Sequence, residues 1–537
     1  MLKSIEVSNF KGLREPTRIV LRPITMLFGP NSAGKSTMLD ALEYTWQLLS
    51  PFSRQSNPLS GRNSEDFGRL VHGHDRSQDI TLRLSAETDD KNTSSTDIKA
   101  LARLALDELD GSFHNPDNLT NLVSNVSIEL VVKHDSRHPV GRVHRASAKI
   151  DSSEAVRIQW PDSETFLGST VFVHPQFLRD VFFNPDKPDS VSTRVWKFLD
   201  QWLPAGNTDT DGWLEIGHLG DNYVPDWGGR IFDNNHRSVP PLAKILITHP
   251  FQNIREQIDR ILHIGPIRTQ PPLNFHPDAD DRRSWYDGLA AWAKLFRLDE
   301  DGPDANLLSH VNRWLGDNDH LATGHNVVVE RSRLLPETDE YCSSLVNLSS
   351  DDVHRVLEKL DTHTDIRVRD LQRDIQMEAS DVGSGIAQLI PIIVASMSRD
   401  FRDQLLCFEQ PELHVHPRLQ AELGDLFLSA RTPRDDRHFL IETHSEHLLL
   451  RFLRRIRETT NGKFETKRET TRLGYTPEDR EQIRRQSQPS LNKDELAVYW
   501  VQRRNGQTDY EKLHIDDHGD FAGGWPDGFF DERMDEL

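Results

Sequence analysis

Residues 29–36 read GPNSAGKS and fit the spacing G-x-x-x-x-G-K-[ST], whose chemistry is the capture of phosphate. Glycines in such a loop let the backbone turn successive N–H groups inward, making a nest for anionic oxygens. Lys35 brings a charge that reaches the β- and γ-phosphates of a nucleotide, and the Ser36 hydroxyl is a ligand for Mg²⁺. A helix beginning here aims the positive end of its dipole at the same anion. The candidate nucleotide-binding residues are Gly29, Asn31, Ser32, Ala33, Gly34, Lys35, Ser36 and Thr37, with ATP and Mg²⁺ as the expected cofactors.

Four more pieces follow in the C-terminal half. DVGSGIAQ at 381–388 opens a helix, where Ser384 and Gly385 would offer a hydroxyl and N–H groups to a second anion. A serine N-cap behind a glycine turn would look the same. LLCFEQPE at 405–412 is an apolar strand ending in acid, and a carboxylate there, Glu409, suits Mg²⁺, although aspartate is commoner at such a position. His414 and His416, spaced i, i+2, could be a metal pair, but no third ligand is evident and a strand-to-helix loop is the plainer reading. FLIETHSEH at 439–447 is a strand running into a helix, with His444 placed to sense a γ-phosphate.

These pieces require a particular frame. Strands are expected at 2–9, 18–28, 79–85, 127–133 and 169–174, and helices at 35–49, 193–203, 240–262 and 284–297. Residues 86–121 and 205–237 are rich in small polar residues and read as an insertion or loop. Regular alternation returns near 385, with helices at 385–398, 417–430 and 445–458 around strands at 404–409 and 438–442. The expected fold is α/β, a P-loop sheet with flanking helices split by a long mixed insertion. Its divisions are an N-terminal ATPase lobe at 1–88, the insertion at 89–340, a C-terminal ATPase lobe at 341–460, and a basic then acidic extension at 461–537.

The chain of 537 residues has a net charge of −21, which repels nucleic acid on average. Nucleic-acid binding therefore needs a local patch, and 451–485, with eleven Lys/Arg against six Asp/Glu, is the candidate; a solvated helix face is the plainer reading. Cys342 and Cys407 stand far apart, which disfavours a disulfide framework or a cysteine zinc site and makes the cytoplasm the default compartment. The N-terminus MLKSIEVSNFKGL lacks the apolar core of a signal peptide, and no run of 18 apolar residues predicts a membrane span.

The order of the pieces, with the strings NFKGL, GPNSAGKST, DVGSGIAQLIP, EQPELHVHP and IETHSEHLL, resembles ATP-binding-cassette (ABC) and SMC-type heads. It resembles more narrowly the RecF/OLD-like ATPases of bacteria. HIGPIRTQPP at 263–272 and WPDGFFDE at 525–532 are similar to motifs of one group of bacterial ATPases. Several such ATPases are encoded in anti-phage defence systems, often beside a nuclease. The resemblance implies an ABC/SMC-like ATPase head in which ATP is sandwiched between the P-loop of one chain and Ser384 and Gly385 of another, hence a homodimer. It also implies a catalytic glutamate where this chain has Gln410. Glutamine cannot take a proton at pH 7 but can orient water, and Glu412 could substitute if Pro411 turns it inward. The catalytic candidates are thus Gln410, Glu412 and His444, and the metal ligands Ser36 and Glu409.

Slow hydrolysis, a long-lived ATP-bound dimer and control of a separately encoded effector such as a nuclease are the resulting expectations. A DNA-repair ATPase that clamps DNA, or a scaffold that holds ATP without turnover, are the competing ones. DDHGD at 516–520 is superficially like the acidic motif of the TOPRIM nuclease that OLD proteins carry. No apolar strand ending in Glu-Gly precedes it, and it reads as a solvated loop. The block FAGGWPDGFF at 521–530 is too aromatic for a free tail and is expected to dock on a domain.

Overall fold

The structure is a computed structural model. It describes residues 1–49, 66–87, 125–136, 138–150, 152–161, 169–175, 177, 211–219, 241–273, 275, 277, 283–299, 301–333, 360, 362–431, 437–461 and 489–526. The expected helix at 193–203 lies outside the described residues, as do most of the expected loops at 86–121 and 205–237; 86–87 end a strand instead.

The strands in chain order begin with Leu2–Ser8 (β1), Thr17–Val20 (β2), Ile24–Phe28 (β3), Ile80–Glu87 (β4), Asn125–Asp135 (β5) and His138–Ile150 (β6). Ser153–Gln159 (β7), Ser169–Val173 (β8), Leu214–Leu219 (β9), Leu262–Ile264 (β10), His325–Arg333 (β11) and Thr362–Asp370 (β12) follow. The last are Ile375–Glu378 (β13), Leu405–Glu409 (β14), His438–Thr443 (β15), Leu496–Arg504 (β16) and Gln507–Leu513 (β17). The longer helices are Thr37–Leu49 (α1), Pro241–Asp259 (α2), Leu289–Phe296 (α3), Leu307–Gly316 (α4), Ser384–Met397 (α5), Pro417–Ala430 (α6) and Glu446–Thr460 (α7).

An antiparallel sheet runs β2-β1-β4-β5-β6-β7-β8-β9. A second sheet, β10-β14-β15-β3-β16-β17, is parallel apart from the hairpin between its last two strands. A small antiparallel sheet joins β11, β12 and β13. Strands β3, β14 and β15 are buried along their whole length, as parallel strands covered on both faces must be. Their side chains alternate between two cores. Leu27, Leu405, Cys407 and Leu440 pack toward α1, α2 and the antiparallel sheet. Ile24, Met26, Phe28, Leu406, Phe408, Phe439 and Ile441 pack toward α3 to α7.

Several expectations change. The apolar run 18–28 is two strands in different sheets; the chain crosses between them at 21–23, where Pro23 has no N–H to continue a ladder. The helix expected at 284–297 is broken by Gly288, which takes φ 80° and leaves a short turn at Arg283–Tyr286 before α3. Residues 89–340 contribute β5 to β9 to the first sheet and β10 to the second, so they are woven into both layers. The extension from 461 contains β16 and β17, which belong to the sheet that carries the P-loop. Phe521 is buried in the second core with Trp525 at 4.8 Å between ring centroids, while 527–537 lie outside the described residues.

Candidate functional site

The site forms at the C-terminal ends of β3, β14 and β15, where open α/β sheets hold ligands. Residues 29–36 leave β3 and enter α1, with Asn31 and Ser32 exposed at the tip and Ala33 buried beneath. A Cβ at Gly29 would overlap the Val501 carbonyl, and one at Gly34, where φ is 102°, would lie 2.5 Å from Thr508 Oγ1. Only glycine fits there. Lys35 is 3% exposed, and its Nζ donates to the carbonyls of Gly29 (3.1 Å) and Pro30 (2.8 Å). Burial lowers the Lys35 pKa, while the nearby Glu442 and Glu412 carboxylates oppose that shift. Ser36 is half-buried, and Thr37 begins α1 with its N–H on the Gly34 carbonyl at 3.0 Å.

Period-2 alternation explains the acids. On β14, Leu405 and Cys407 face α1, so Glu409 ends the strand on that face; on β15, Leu440 does, so Glu442 follows. The two glutamates are direct partners across the parallel pair. Glu409 is buried, and its Oε1 lies 2.8 Å from His263 Nε2 on β10. Gln410 takes φ 45°, a left-handed conformation that costs a non-glycine residue about 1 kcal/mol or more. It is held there by its N–H on the Glu442 carbonyl (2.7 Å) and by Arg268 Nη2 on its own carbonyl (3.1 Å).

Pro411 and Glu412 turn inward and are buried. Glu412 Oε1 accepts the His444 N–H at 2.7 Å, and Oε2 is buried with no hydrogen-bond partner. Burial raises the Glu412 pKa, which makes it a stronger base than an exposed glutamate. His444 stands just before the N-cap Ser445, whose Oγ accepts from Leu448 at 3.1 Å and fixes the start of α7. The His444 ring Nε2 is buried with no hydrogen-bond partner. Burial, then the charge on Lys35, pushes its pKa down to about 4, so it is a neutral imidazole at pH 7.

A family model described as "AAA ATPase domain" matches residues 1–149 and 329–449. The chain belongs to the AAA ATPase domain family. It is an ATP-binding P-loop ATPase. The match falls in two blocks on either side of 150–328, as a split head requires. A second model, for proteins of unknown function (DUF3696), matches 491–537. No curated protein matches the chain. Among solved structures it is similar to an SMC head bound to the C-winged helix domain of ScpA, with 10% identity, 96% of this chain and 98% of that one covered, and a TM-score of 0.36. It is similar also to the SMC head domain from Thermotoga maritima (9% identity, 96% and 99% covered, TM-score 0.34). A third is an Smc head with an extended coiled coil bound to the C-terminal domain of ScpA, from Pyrococcus furiosus (10%, 96% and 96%, 0.38). Likeness at these scores adds nothing to the site, which stands on its own geometry.

Of the candidates named from sequence, the ATPase thus gathers 29–37, Glu409, Gln410, Glu412 and His444 around one point. Ser384 and Gly385 open α5 on the β14 side of this point. Ser384 is the first residue of α5 and is exposed, and the N-cap is Gly383, with no side-chain cap. Gly385 abuts the His414 carbonyl, 3.0 Å from where its Cβ would be. Behind them Arg268, 1% exposed, ties α5 to β14: its backbone N–H donates to Gln388 Oε1 (3.1 Å), and its Nη2 donates to the Glu409 carbonyl (2.8 Å). Gln270 Nε2 donates to the Val382 carbonyl at 2.6 Å.

Arg268, His263 and Glu442 were missed as site residues. The first two lie in HIGPIRTQPP, a motif with no chemistry of its own, and Glu442 could have been found from the alternation that identified Glu409. His416 caps α6 by accepting from the Arg418 N–H at 3.3 Å. In the described part of the basic stretch, Arg451 and Arg455 pair with Asp425, Arg454 with Glu458 and Arg457 with Asp520. These are satisfied ion pairs on a helix face; residues 462–485 lie outside the described residues. In 516–520, Asp516 accepts the N–H groups of His518 (2.8 Å) and Asp520 (2.9 Å), and Asp517 pairs with Lys493. These carboxylates close a turn.

Proposed function

We propose that two copies of this ATPase sandwich ATP, each P-loop faced by Ser384 and Gly385 of the other copy, and that the dimer is a slowly hydrolysing switch. The observation that carries the reading is the separation of the two phosphate-seeking elements. The P-loop is packed against β16 and β17 of its own chain, whereas the start of α5 is exposed and anchored on the β14 side by Arg268. Two strand spacings, about 10 Å, separate β14 from β3 in the sheet.

Three buried carboxylates, Glu409, Glu412 and Glu442, meet two buried cations, Lys35 and Arg268. Adding polyphosphate to this balance calls for a divalent cation. Ser36 and Glu409 are hard oxygen donors, and Mg²⁺ is commonly held by one or two such groups together with substrate phosphates. Mg²⁺ bound there would neutralise charge on the phosphates. Lys35 would bind the β- and γ-phosphates, Gln410 would orient the attacking water, Glu412 would accept its proton, and neutral His444 would contact the γ-phosphate. His263 would hold the Glu409 carboxylate in place. With a glutamine at 410, turnover is slow and the ATP-bound dimer persists, which suits control of a separately encoded effector, such as a nuclease in a RecF/OLD-like anti-phage system.

The test is the mass of the chain in solution with ATP and Mg²⁺, with ADP, and without nucleotide. ATP-dependent doubling that Lys35→Ala abolishes is expected; the same mass in all three conditions overturns the sandwich. Loss of phage protection in cells whose locus carries Lys35→Ala is the expected result for the defence role.

A further inference from the structure

Residues 491–537 are matched only by a family of unknown function, and within their described part, 491–526, a strand hairpin lies against the P-loop. Its first strand, β16, pairs in parallel with β3, and Trp500 stands opposite Phe28 where the loop leaves the sheet. The hairpin partner β17 returns alongside, with Tyr510 opposite Val501 and Thr508 opposite Arg503. Thr508 Oγ1 donates to the Ala33 carbonyl at 3.1 Å. The Tyr510 hydroxyl lies 2.6 Å from the Gly34 carbonyl and 3.2 Å from that of Lys35. Thr508 is itself anchored, its N–H donating to the Gly12 carbonyl at 2.8 Å.

In a trans peptide the C=O of one residue and the N–H of the next point to opposite sides. The Thr508 hydroxyl on the carbonyl of residue 33, and the single Tyr510 proton shared between the carbonyls of 34 and, more weakly, 35, therefore set the direction of the N–H groups of Gly34, Lys35 and Ser36. Those are the donors that turn toward phosphate in a loop of this kind. We propose that the segment of unknown function is a brace for the P-loop, in which Thr508 and Tyr510 are positioning residues that aim these N–H groups at the nucleotide. The inference rests on the reading of 29–36 as the nucleotide site. Tyr510 is deeply buried, and burial holds its phenol well above the usual range, so it remains a donor at any working pH.

Tyr510→Phe keeps the ring and Thr508→Val the shape, and each removes only the hydroxyl. ATP affinity by calorimetry, KM and kcat for hydrolysis, and the melting temperature without nucleotide distinguish aiming from packing. One lost hydrogen bond per variant predicts ATP binding weaker by about fivefold to tenfold, with KM raised and kcat little changed. Thr508→Ser should recover parental affinity. A lower melting temperature with unchanged ATP affinity overturns the proposal, as does Thr508→Ser behaving like Thr508→Val. If Tyr510→Phe does not fold, the Thr508 pair carries the test. Lys35→Ala alongside separates the two readings. If it abolishes binding while neither hydroxyl matters, only the brace falls; if it also leaves affinity unchanged, 29–36 is not the nucleotide site and both fall.

Discussion

The P-loop and the start of α5 are both glycine-rich approaches to a helix N-terminus, and the fold treats them oppositely. The P-loop is enclosed. Lys35 is buried beneath its own loop and donates to the Gly29 and Pro30 carbonyls, Gly29 touches β16, and Gly34 touches β17. The start of α5 is open, with Gly383 and Ser384 exposed and its support coming from behind through Gln388, Arg268 and Gln270. An enclosed loop brings its own counter-groups, whereas an exposed helix start on a rigid mount suits a ligand carried by another molecule. Under the proposed sandwich, the contrast would separate what one chain does alone from what needs two.

The enclosed side is the easier to break. Lys35→Ala removes a charge-assisted contact from a buried site, and such losses run to about 3 kcal/mol, or two orders of magnitude in affinity. ATP binding by calorimetry should fall at least that far. Unchanged affinity would remove the premise that the enclosed loop is the nucleotide site.

The open side should fail differently. Ser384→Arg places a bulky side chain at an exposed helix start, so folding and ATP binding by the single chain should survive. Hydrolysis should drop by about 10²-fold, the scale of losing a transition-state contact. Mixing Ser384→Arg with Lys35→Ala chains should recover activity, because a heterodimer holds one intact P-loop opposite one intact α5. If verified heterodimers are no more active than either parent, the contrast between enclosed and open halves does not reflect a shared site.

Within the enclosed half, the base can be located. Glu412 is buried, has a raised pKa and keeps one oxygen without a partner. Glu412→Gln preserves shape and should lower single-turnover hydrolysis by about 10- to 100-fold, within the range of general-base losses, with ATP affinity nearly unchanged. Unaltered hydrolysis would leave Gln410 to orient water without a protein base.

How much of this was legible in the sequence follows from the same contrast. The P-loop, the acidic strand and the Thr-His strand end are local patterns, and β3, α1, β14, α6 and β15 appear close to where they were expected. The partners that complete the site are distant in sequence. Arg268 reaches Gln388 and Glu409, and Thr508 and Tyr510 reach 33–35 across more than 470 residues. No periodicity announces a contact of that span. The hairpin β16–β17 was hidden for a second reason. Leu496–Val501 is buried along its whole length and so lacks the alternation that marks a half-exposed strand, and it sits between an Arg-rich stretch and an acidic tail that dominate the composition. The split of 18–28 between two sheets was hidden because both halves are apolar, and only Pro23 marks the crossing.

The smallest effect is also the most informative about rate. Gln410 holds the position where the sequence resemblance implies a glutamate, in a left-handed conformation fixed by backbone bonds that do not depend on its side chain. Gln410→Glu should therefore enter the same geometry without added strain. The new carboxyl would stand among Glu409, Glu412 and Glu442, and like charges raise its pKa toward the range in which a base works at neutral pH. Single-turnover hydrolysis should rise, by several-fold and well short of the 10²–10⁴ of a full general base, because in the proposed mechanism Gln410 would already orient water and Glu412 would already accept protons. The ATP-bound dimer should be correspondingly shorter-lived, measurable as faster loss of the doubled mass after free ATP is removed. If hydrolysis is unchanged while Glu412→Gln abolishes it, the base lies at 412 and glutamine at 410 is no brake; if hydrolysis falls, the extra negative charge weakens the phosphate site more than a second base helps it.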